Sequence, residues 1–159
     1  MQQSAAVRRT GLILAALAFL LAAAALAVSL YAWWSSTRSV EYTAEQQSAA
    51  RDSACAAYTT VRTGVQTNTN LAVAGDDVGG ALAVAANSRV ALMSGGQYVL
   101  DRVDPATPAE LAEPLRRFGN TLLDVGAAAT AGALNTDPAQ AELLREVDEL
   151  NGQLTALCG

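Results

Sequence analysis

Two cysteines, Cys55 and Cys158, are the residues of this sequence whose chemistry is most specific. The 159-residue chain holds no other cysteine and no histidine. Because a structural zinc site needs several Cys or His ligands, an isolated pair of cysteines favours a disulfide. We therefore predict that Cys55 and Cys158 form a structural disulfide, which persists in an oxidising compartment.

The chain lacks the side chains on which most catalytic sites depend. Histidine, the commonest general base and metal ligand, is absent, and all ten basic residues are arginine. Without lysine, Schiff-base and P-loop chemistry are excluded. Carboxylate pairs such as Asp101 with Asp104 and Glu110 with Glu113 have the spacing of solvated surface charges, although a glycosidase-type pair assembled from distant residues stays open. We predict a protein that is not an enzyme and carries no cofactor.

The net charge and the placement of the acidic residues bear on whether the chain binds nucleic acid or a metal ion. Acidic residues outnumber arginines 15 to 10, for a net charge of −5, so the chain is a poor candidate for binding nucleic acid. Asp76 and Asp77 lie together in a glycine-rich turn, but their spacing does not match a calcium-binding EF-hand loop. The sequence therefore predicts neither a nucleic-acid partner nor a metal site.

A long apolar stretch, residues 11–34, indicates where the chain resides. It contains no charged residue and, as a helix, would reach about 36 Å, against a hydrocarbon core of about 30 Å. Arg8 and Arg9 precede it, and such residues favour the cytoplasmic side. We predict four segments: a cytoplasmic head (1–10), a transmembrane signal anchor (11–34), a connector (35–40) and an extracytoplasmic helical body (41–159).

The end of the apolar stretch bears on whether the anchor is retained. Tyr31, Trp33 and Trp34 are interface anchors in this interpretation, since aromatic residues concentrate where a membrane meets water. The alternative is a cleaved signal peptide, because Ala25 and Ala27 flank Leu26 as in a small-residue cleavage site. The length of the apolar run favours the uncleaved anchor.

Small residues form a stripe along the predicted anchor. They alternate steps of four and three residues, which places them on one helix face, where close approach of a second membrane helix is possible. A bland alternative is that alanine is abundant throughout the chain. We predict a membrane partner face formed by Gly11, Ala15, Ala18, Ala22 and Ala25.

Residues 41–159 show four helical patterns separated by turns. The first covers about 41–67, the second runs from 78 or 81 to 93, the third covers about 107–131 and the fourth about 138–158. Ser94, Gly95 and Gly96 predict an end or a kink of the second helix. The following residues, 97–103, fit either a continuing helix or a short strand.

Start signals and apolar periodicity define the last two helices. Thr107 with Glu110, and Asp137 with Gln140, have the spacing of capping boxes. Pro114 predicts a bend in the third helix. The apolar faces repeat at helical spacing and comprise Leu111, Leu115, Phe118, Leu122 and Val125 in the third helix, and Leu143, Val147, Leu150, Leu154 and Leu157 in the fourth.

These elements predict an all-α fold, with an N-terminal transmembrane helix followed by an extracytoplasmic antiparallel four-helix bundle. In that topology the first and fourth helices of the bundle are neighbours, which brings Cys55 and Cys158 within reach of each other. The resulting loop of about a hundred residues corresponds to a stabilisation of about 4 to 5 kcal/mol.

The chain resembles a group of proteins in style. The features that carry the resemblance are VRRTGLILAALAFLLAAAALAVSLYAWW, the paired cysteines and the arginine-only basic set. Together they resemble the single-pass, Ala-rich, Lys-poor exported membrane proteins of actinobacteria, which have no assigned function. The resemblance extends over the whole chain without a specific motif. Some proteins of this style are small subunits of transport or respiratory assemblies, and the resemblance assigns no functional residue.

We predict a non-catalytic accessory or scaffold subunit of a cell-envelope membrane protein complex, located in the cell membrane with one or more integral membrane proteins as partners. Tyr42 and Tyr98 are the candidate contact residues. One alternative is an extracytoplasmic domain that binds a lipid or small apolar ligand, and a second is a helical protein secreted after signal cleavage. A ligand cavity would be lined by residues that otherwise fill the core, namely Leu82, Phe118, Leu122 and Leu154.

Overall fold

The described part of the chain consists of five helices and contains no strand. The computed structural model describes the backbone of residues 3–36 and 41–159 and the side chains of residues 18–35 and 41–159. The all-α prediction is therefore confirmed. In chain order the helices are α1 (Gln3–Ser36), α2 (Ala44–Thr69), α3 (Val78–Asp101), α4 (Ala109–Thr130) and α5 (Pro138–Cys158).

The chain divides into two compact units, Met1–Glu41 and Tyr42–Gly159. The first contains α1, whose segment Ala18–Ser35 is long and apolar enough to cross a membrane, and no part of this segment is buried. A membrane anchor and a signal sequence both have these properties. The second unit contains α2 to α5 and the disulfide.

Helix α2 begins with a capping box that the sequence analysis missed. The Thr43 side chain accepts a hydrogen bond of 3.2 Å from the Gln46 backbone N–H, and Gln46 Oε1 accepts one of 2.9 Å from the Thr43 N–H. Because this reciprocal pair satisfies two helix-terminal donors, the helix begins at Ala44. The predicted start at residue 41 was three residues too early.

Helix α3 runs without interruption to Asp101, so residues 97–101 continue the helix and the strand alternative is wrong. Gly95 and Gly96 are buried inside it. A Cβ on Gly95 would lie 2.8 Å from Val61 Cγ1 on α2, and one on Gly96 would lie 2.6 Å from the Gly119 carbonyl oxygen on α4. The two glycines therefore permit close helix packing, whereas the sequence had suggested a helix end or a kink.

The start of α4 differs from the prediction. Pro108 is the N-cap and makes no side-chain cap hydrogen bond. Thr107, the predicted cap, is only 6% exposed, and its buried hydroxyl has no hydrogen-bond partner among the described residues. The predicted capping box with Glu110 is wrong, because packing has turned the Thr107 side chain to the interior.

Helix α5 begins where the sequence predicted, but the hydrogen bonds at its start differ from the predicted capping box. Asp137 is the N-cap, but its carboxylate accepts from the Leu134 backbone N–H at 2.8 Å. Gln140, its predicted partner, is 2% exposed and donates from Nε2 to the Val125 carbonyl of α4 at 3.2 Å. Gln140 thus joins two helices, and the second predicted capping box is also wrong.

One hydrophobic core lies among α2, α3, α4 and α5. The Tyr58 and Phe118 rings meet edge to face at its centre, with centroids 5.6 Å apart. The predicted apolar faces of α4 and α5 contribute most of the core, whereas Leu82, predicted for the inner side of α3, is 67% exposed. The core residues are Ala54, Tyr58, Val61, Leu92, Val99, Leu111, Leu115, Phe118, Leu122, Val125, Leu150 and Leu154.

The contacts between successive helices from α2 to α5 show the direction of each helix. As the residue number rises along one helix, the number of its contact residue on the next helix falls. Val61 of α2 lies close to Gly95 of α3. Farther along α2, the Asn68 carbonyl accepts a hydrogen bond from the Ser88 hydroxyl of α3. Successive helices from α2 to α5 therefore run in opposite directions. The same order appears in the α3–α4 pairs Gly96–Gly119 and Arg89–Ala129, and in the α4–α5 pairs Arg117–Glu146 and Val125–Gln140.

Candidate functional site

The predicted disulfide joins α2 to the end of α5. Cys55 and Cys158 are bonded, with their Cα atoms 5.4 Å apart across a sequence separation of 103 residues. The prediction of this bond is therefore confirmed. Closing a loop of this length in the unfolded chain stabilises the fold by about 4 to 5 kcal/mol.

A polar contact next to the disulfide holds the same two helices together. The buried Tyr58 hydroxyl lies 2.6 Å from Asn151 Oδ1 and 2.9 Å from Thr155 Oγ1. Arg51 adds a hydrogen bond of 2.5 Å to the Leu157 carbonyl. The sequence analysis did not identify these contacts of Tyr58. The only available signal was that a buried tyrosine hydroxyl needs a partner.

Beyond Tyr58, α2 and α5 line a cavity of about 900 Å³, to which α3, α4 and the turn before α5 also contribute. Small-molecule sites in proteins occupy roughly 300 to 1,000 Å³. Well-packed interiors contain few voids larger than a water molecule. The size of this cavity therefore makes it the candidate functional site of Tyr42–Gly159.

The cavity wall is mainly apolar, and it overlaps the predicted lining only in part. Phe118 and Leu122 belong to it as expected. Leu82 is exposed and Leu154 is fully buried, and neither contributes to the wall, so these two assignments are wrong. The main apolar residues are Val65, Leu92, Phe118, Leu122, Leu144 and Val147.

Two half-buried arginines, Arg62 on α2 and Arg89 on α3, also line the cavity. Arg89 Nε donates to the Ala129 carbonyl at 3.1 Å. Arg62 Nε is buried and has no hydrogen-bond partner among the described residues. A buried donor without a partner costs about 1 to 3 kcal/mol. The lining contains one acidic residue, Asp148, which is exposed.

The arginines of the cavity differ from those of the outer surface. Arg145 forms ion pairs with Glu142 and Glu149 on the exposed side of α5. The hydrogen bond and charge of Glu142, followed by the charge of Glu149, raise the pKa of Arg145 above its usual value. Within the described residues, neither Arg62 nor Arg89 forms an ion pair. Their positive charges are therefore available to a ligand.

The cavity wall combines apolar surface with two guanidinium groups. It contains no cysteine, and its sole carboxylate is Asp148. Among the described residues, no group of three or more Cys, Asp or Glu side chains is placed to hold a metal ion. Apolar surface with two guanidinium groups can retain a ligand that is apolar over most of its length and negatively charged at one point.

The predicted membrane-facing residues all belong to α1. Ala18, Ala22 and Ala25 are exposed along it, whereas the side chains of Gly11 and Ala15 lie outside the described residues. The predicted interface anchors are also exposed, with values of 69% for Tyr31, 67% for Trp33 and 55% for Trp34.

The two candidate contact tyrosines have different surroundings. Tyr42 is half-buried just before α2. Tyr98 is 37% exposed on α3, and the Arg102 guanidinium lies 4.7 Å from the centre of its ring. This distance is that of a cation–π contact, which orients the ring. Tyr98 also borders a smaller groove of about 400 Å³ between α2 and α3.

An exposed apolar face on α3 was missed by the sequence analysis. Val78, Leu82, Val90 and Met93 are exposed by 70%, 67%, 64% and 43%. At about 100° per residue they fall within roughly 120° of one another around the helix. The signal was their helical spacing, which the sequence analysis assigned in part to the core. We call these four residues the α3 apolar face.

Comparison of the chain with protein-family models, with curated proteins and with solved structures found no match.

Proposed function

We propose that this protein is a non-catalytic accessory or scaffold subunit of a cell-envelope membrane protein complex. In this proposal α1 anchors the chain in the cell membrane with its N-terminus in the cytoplasm. Residues 41–159 form an antiparallel four-helix bundle on the outer side, and the partners are one or more integral membrane proteins of transport or respiratory type.

The observation that carries the proposal is the exposure of α1. None of its apolar segment Ala18–Ser35 is buried against other parts of the chain. Apolar surface of this extent is unfavourable in water, and a lipid environment removes that cost. The exposed Tyr31, Trp33 and Trp34 at the end of the segment suit the membrane interface.

The disulfide and the charge distribution support the orientation. A structural disulfide is typical of compartments outside the reducing cytoplasm, and Cys55–Cys158 lies after the anchor. Arg8 and Arg9 precede the anchor, which favours retention of the N-terminus in the cytoplasm. The two features agree on the same topology.

Two surfaces suit partner proteins. Ala18, Ala22 and Ala25 form the described part of a small-residue stripe, along which another membrane helix can approach closely. The α3 apolar face exposes four large apolar side chains on an acidic protein. Contiguous exposed apolar surface is typical of interaction sites.

The proposal is tested by purifying the tagged full chain from its native membrane in mild detergent and identifying co-eluting proteins by mass spectrometry. We expect an integral membrane protein in stoichiometric amount. In the Ala18→Leu/Ala22→Leu variant, bulky side chains on the stripe should reduce its recovery. The matched control is Ala23→Leu/Ala27→Leu, which places the same side chains on the opposite face of α1.

Three outcomes would overturn the proposal. A clean monomer without a companion protein would remove the subunit role. Equal recovery of the companion with both double variants would remove the stripe as its contact. A mature N-terminus near Val28, on protein released into the medium, would show instead that α1 is a cleaved signal sequence.

A further inference from the structure

The cavity among α2 to α5 has the size and wall of a site for one elongated apolar group. Its volume of about 900 Å³ lies near the upper end of the usual range for small-molecule sites. Val65, Leu144 and Val147 provide apolar surface on its α2 and α5 sides.

The polar groups of the cavity select the charge of the ligand. Arg62 Nε is buried without a partner among the described residues, and no hydrogen bond from the two terminal nitrogens of Arg62 to a described residue is observed, so these terminal nitrogens can donate to a ligand in the cavity. Arg89 uses its Nε on Ala129, and no hydrogen bond from its two terminal nitrogens to a described residue is observed. Guanidinium groups match the geometry of carboxylate and phosphate oxygens.

The charges of the cavity wall differ in sign from the charge of the whole chain and favour an anionic ligand. The chain as a whole carries a net charge of −5, yet the cavity wall contains two arginines against one exposed aspartate, Asp148. A neutral apolar ligand would bring no acceptor for the terminal nitrogens of Arg62 and Arg89. A small inorganic anion would leave the apolar wall uncovered. Only a molecule with both an alkyl chain and an oxyanion satisfies the two halves of the cavity.

Exposed lining residues show where such a molecule can enter. Thr69 and Asn70 at the end of α2, and Leu134 to Thr136 in the turn before α5, line the cavity and are exposed. These residues are uncharged, so they present no electrostatic barrier to an anion. The disulfide and the Tyr58 contacts lie farther along the same two helices, where they hold α2 and α5 together.

We propose that the cavity binds a single-chain amphiphile with a compact oxyanion head, such as a long-chain carboxylate. Arg62 and Arg89 hold the head group, and the apolar wall covers the alkyl chain. The site belongs entirely to Tyr42–Gly159 and does not depend on the proposed subunit role.

The test is photo-crosslinking of the full chain in nanodiscs of neutral phosphatidylcholine. A diazirine-bearing palmitate is added, the sample is irradiated, and labelled peptides are mapped by mass spectrometry. We expect labels in residues 62–70 and 144–151. Unlabelled palmitate should compete, whereas methyl palmitate, which has the same chain without the charge, should not.

Variants separate the head-group contact from the cavity itself. Arg62→Gln should weaken competition by palmitate at least about tenfold, because one charge-assisted contact is lost. Arg116→Gln removes the same charge from an exposed position of α4 and should leave competition unchanged. Ala85→Phe narrows the cavity without altering charge and should weaken labelling of both segments. Circular dichroism and a non-reducing gel verify that each variant is folded and oxidised.

Each outcome bears on the proposal. Competition by lysophosphatidic acid as well as palmitate supports recognition of an oxyanion in general. Competition by palmitate alone supports a carboxylate as the head group. Labels confined to α1, equal competition by methyl palmitate, or identical affinities of the Arg62→Gln and Arg116→Gln variants would overturn it. If Arg62→Gln does not fold, the methyl palmitate and Ala85→Phe results still decide.

Discussion

The α3–α4 and α2–α5 interfaces of this protein are built in different ways. Helices α3 and α4 approach so closely that a Cβ on Gly96 would lie 2.6 Å from the Gly119 carbonyl oxygen. Helices α2 and α5 are joined at one end by a disulfide and by Tyr58, and beyond these contacts they line the cavity. The first interface depends on shape, and the second depends on covalent and polar links that leave space.

This difference explains how a small, alanine-rich unit can combine stability with a large cavity. Close packing gains many short contacts, so it stabilises without specific bonds but leaves no room. A disulfide acts mainly on the unfolded chain, so it stabilises even where the folded helices are apart. Substitutions at the two interfaces should therefore lower the free energy of unfolding for different reasons. The expected effects are given from the largest to the smallest.

The largest effect is expected from Cys158→Ser. Loss of the disulfide should lower the free energy of unfolding by about 4 to 5 kcal/mol and Tm by roughly 15 °C or more, because the unfolded chain regains its loop entropy. Tm is measured by circular dichroism of the full chain in mild detergent. Reductant should bring the wild type to the Tm of the variant and leave the variant unchanged. Equal melting of oxidised wild type and variant would contradict this role.

At the α3–α4 interface, Gly96→Ala should lower the free energy of unfolding by about 1 to 3 kcal/mol, through overpacking against Gly119. Thermal unfolding at fixed oxidation state measures this loss. It should persist in reductant, since close packing does not depend on the disulfide. A variant as stable as the wild type would show that α3 and α4 do not meet at this distance.

Tyr58→Phe tests the polar part of the α2–α5 interface. We expect a loss of about 1 kcal/mol in the free energy of unfolding, because Asn151 and Thr155 lose the buried hydroxyl. Denaturant titration of both proteins, with the disulfide intact, gives the difference. The control is Tyr98→Phe, which removes a hydroxyl from an exposed ring and should change stability less. Equal effects of the two substitutions would contradict the role assigned to Tyr58.

The smallest effect, and of opposite sign, is expected from Gly64→Ala on α2. Apart from its chain neighbours and the backbone of α2 itself, nothing lies within 4 Å of the added Cβ, so the substitution should stabilise the helix by roughly 0.5 to 1 kcal/mol. The same unfolding measurement applies. Gly64→Ala changes helix propensity alone, whereas Gly96→Ala also crowds the α3–α4 interface. The difference between the two variants therefore measures the cost of crowding. A destabilised Gly64→Ala would mean that α2 has a closer neighbour there than the structure indicates.

Features that depend on residue type and local spacing were predictable. The Asp137–Pro138 start and the apolar repeat through Leu150 and Leu154 predicted α5 almost to the residue, because both signals act within one helix. The Cys55–Cys158 pairing followed from the cysteine count and from the neighbouring positions of two helices.

Features that depend on a second helix were predicted poorly. Gly95 and Gly96 were interpreted as a break in α3, although their role is to admit Val61 and Gly119. Thr107 has the type and position of a cap but is drawn into the interior. Local signals of this kind describe what a residue can do, and packing against another element selects among the possibilities.

The sequence by itself determined the long apolar segment of α1, the helical periods and the disulfide pairing, because these follow from composition, spacing and the redox chemistry of two thiols. Only the tertiary structure decided that α3 and α4 pack at glycine distance, whereas α2 and α5 border a cavity where Arg62 Nε has no partner among the described residues. The physical reason is that the separation of two helices depends on the side chains of both at each level. No single helix encodes that distance in its own pattern.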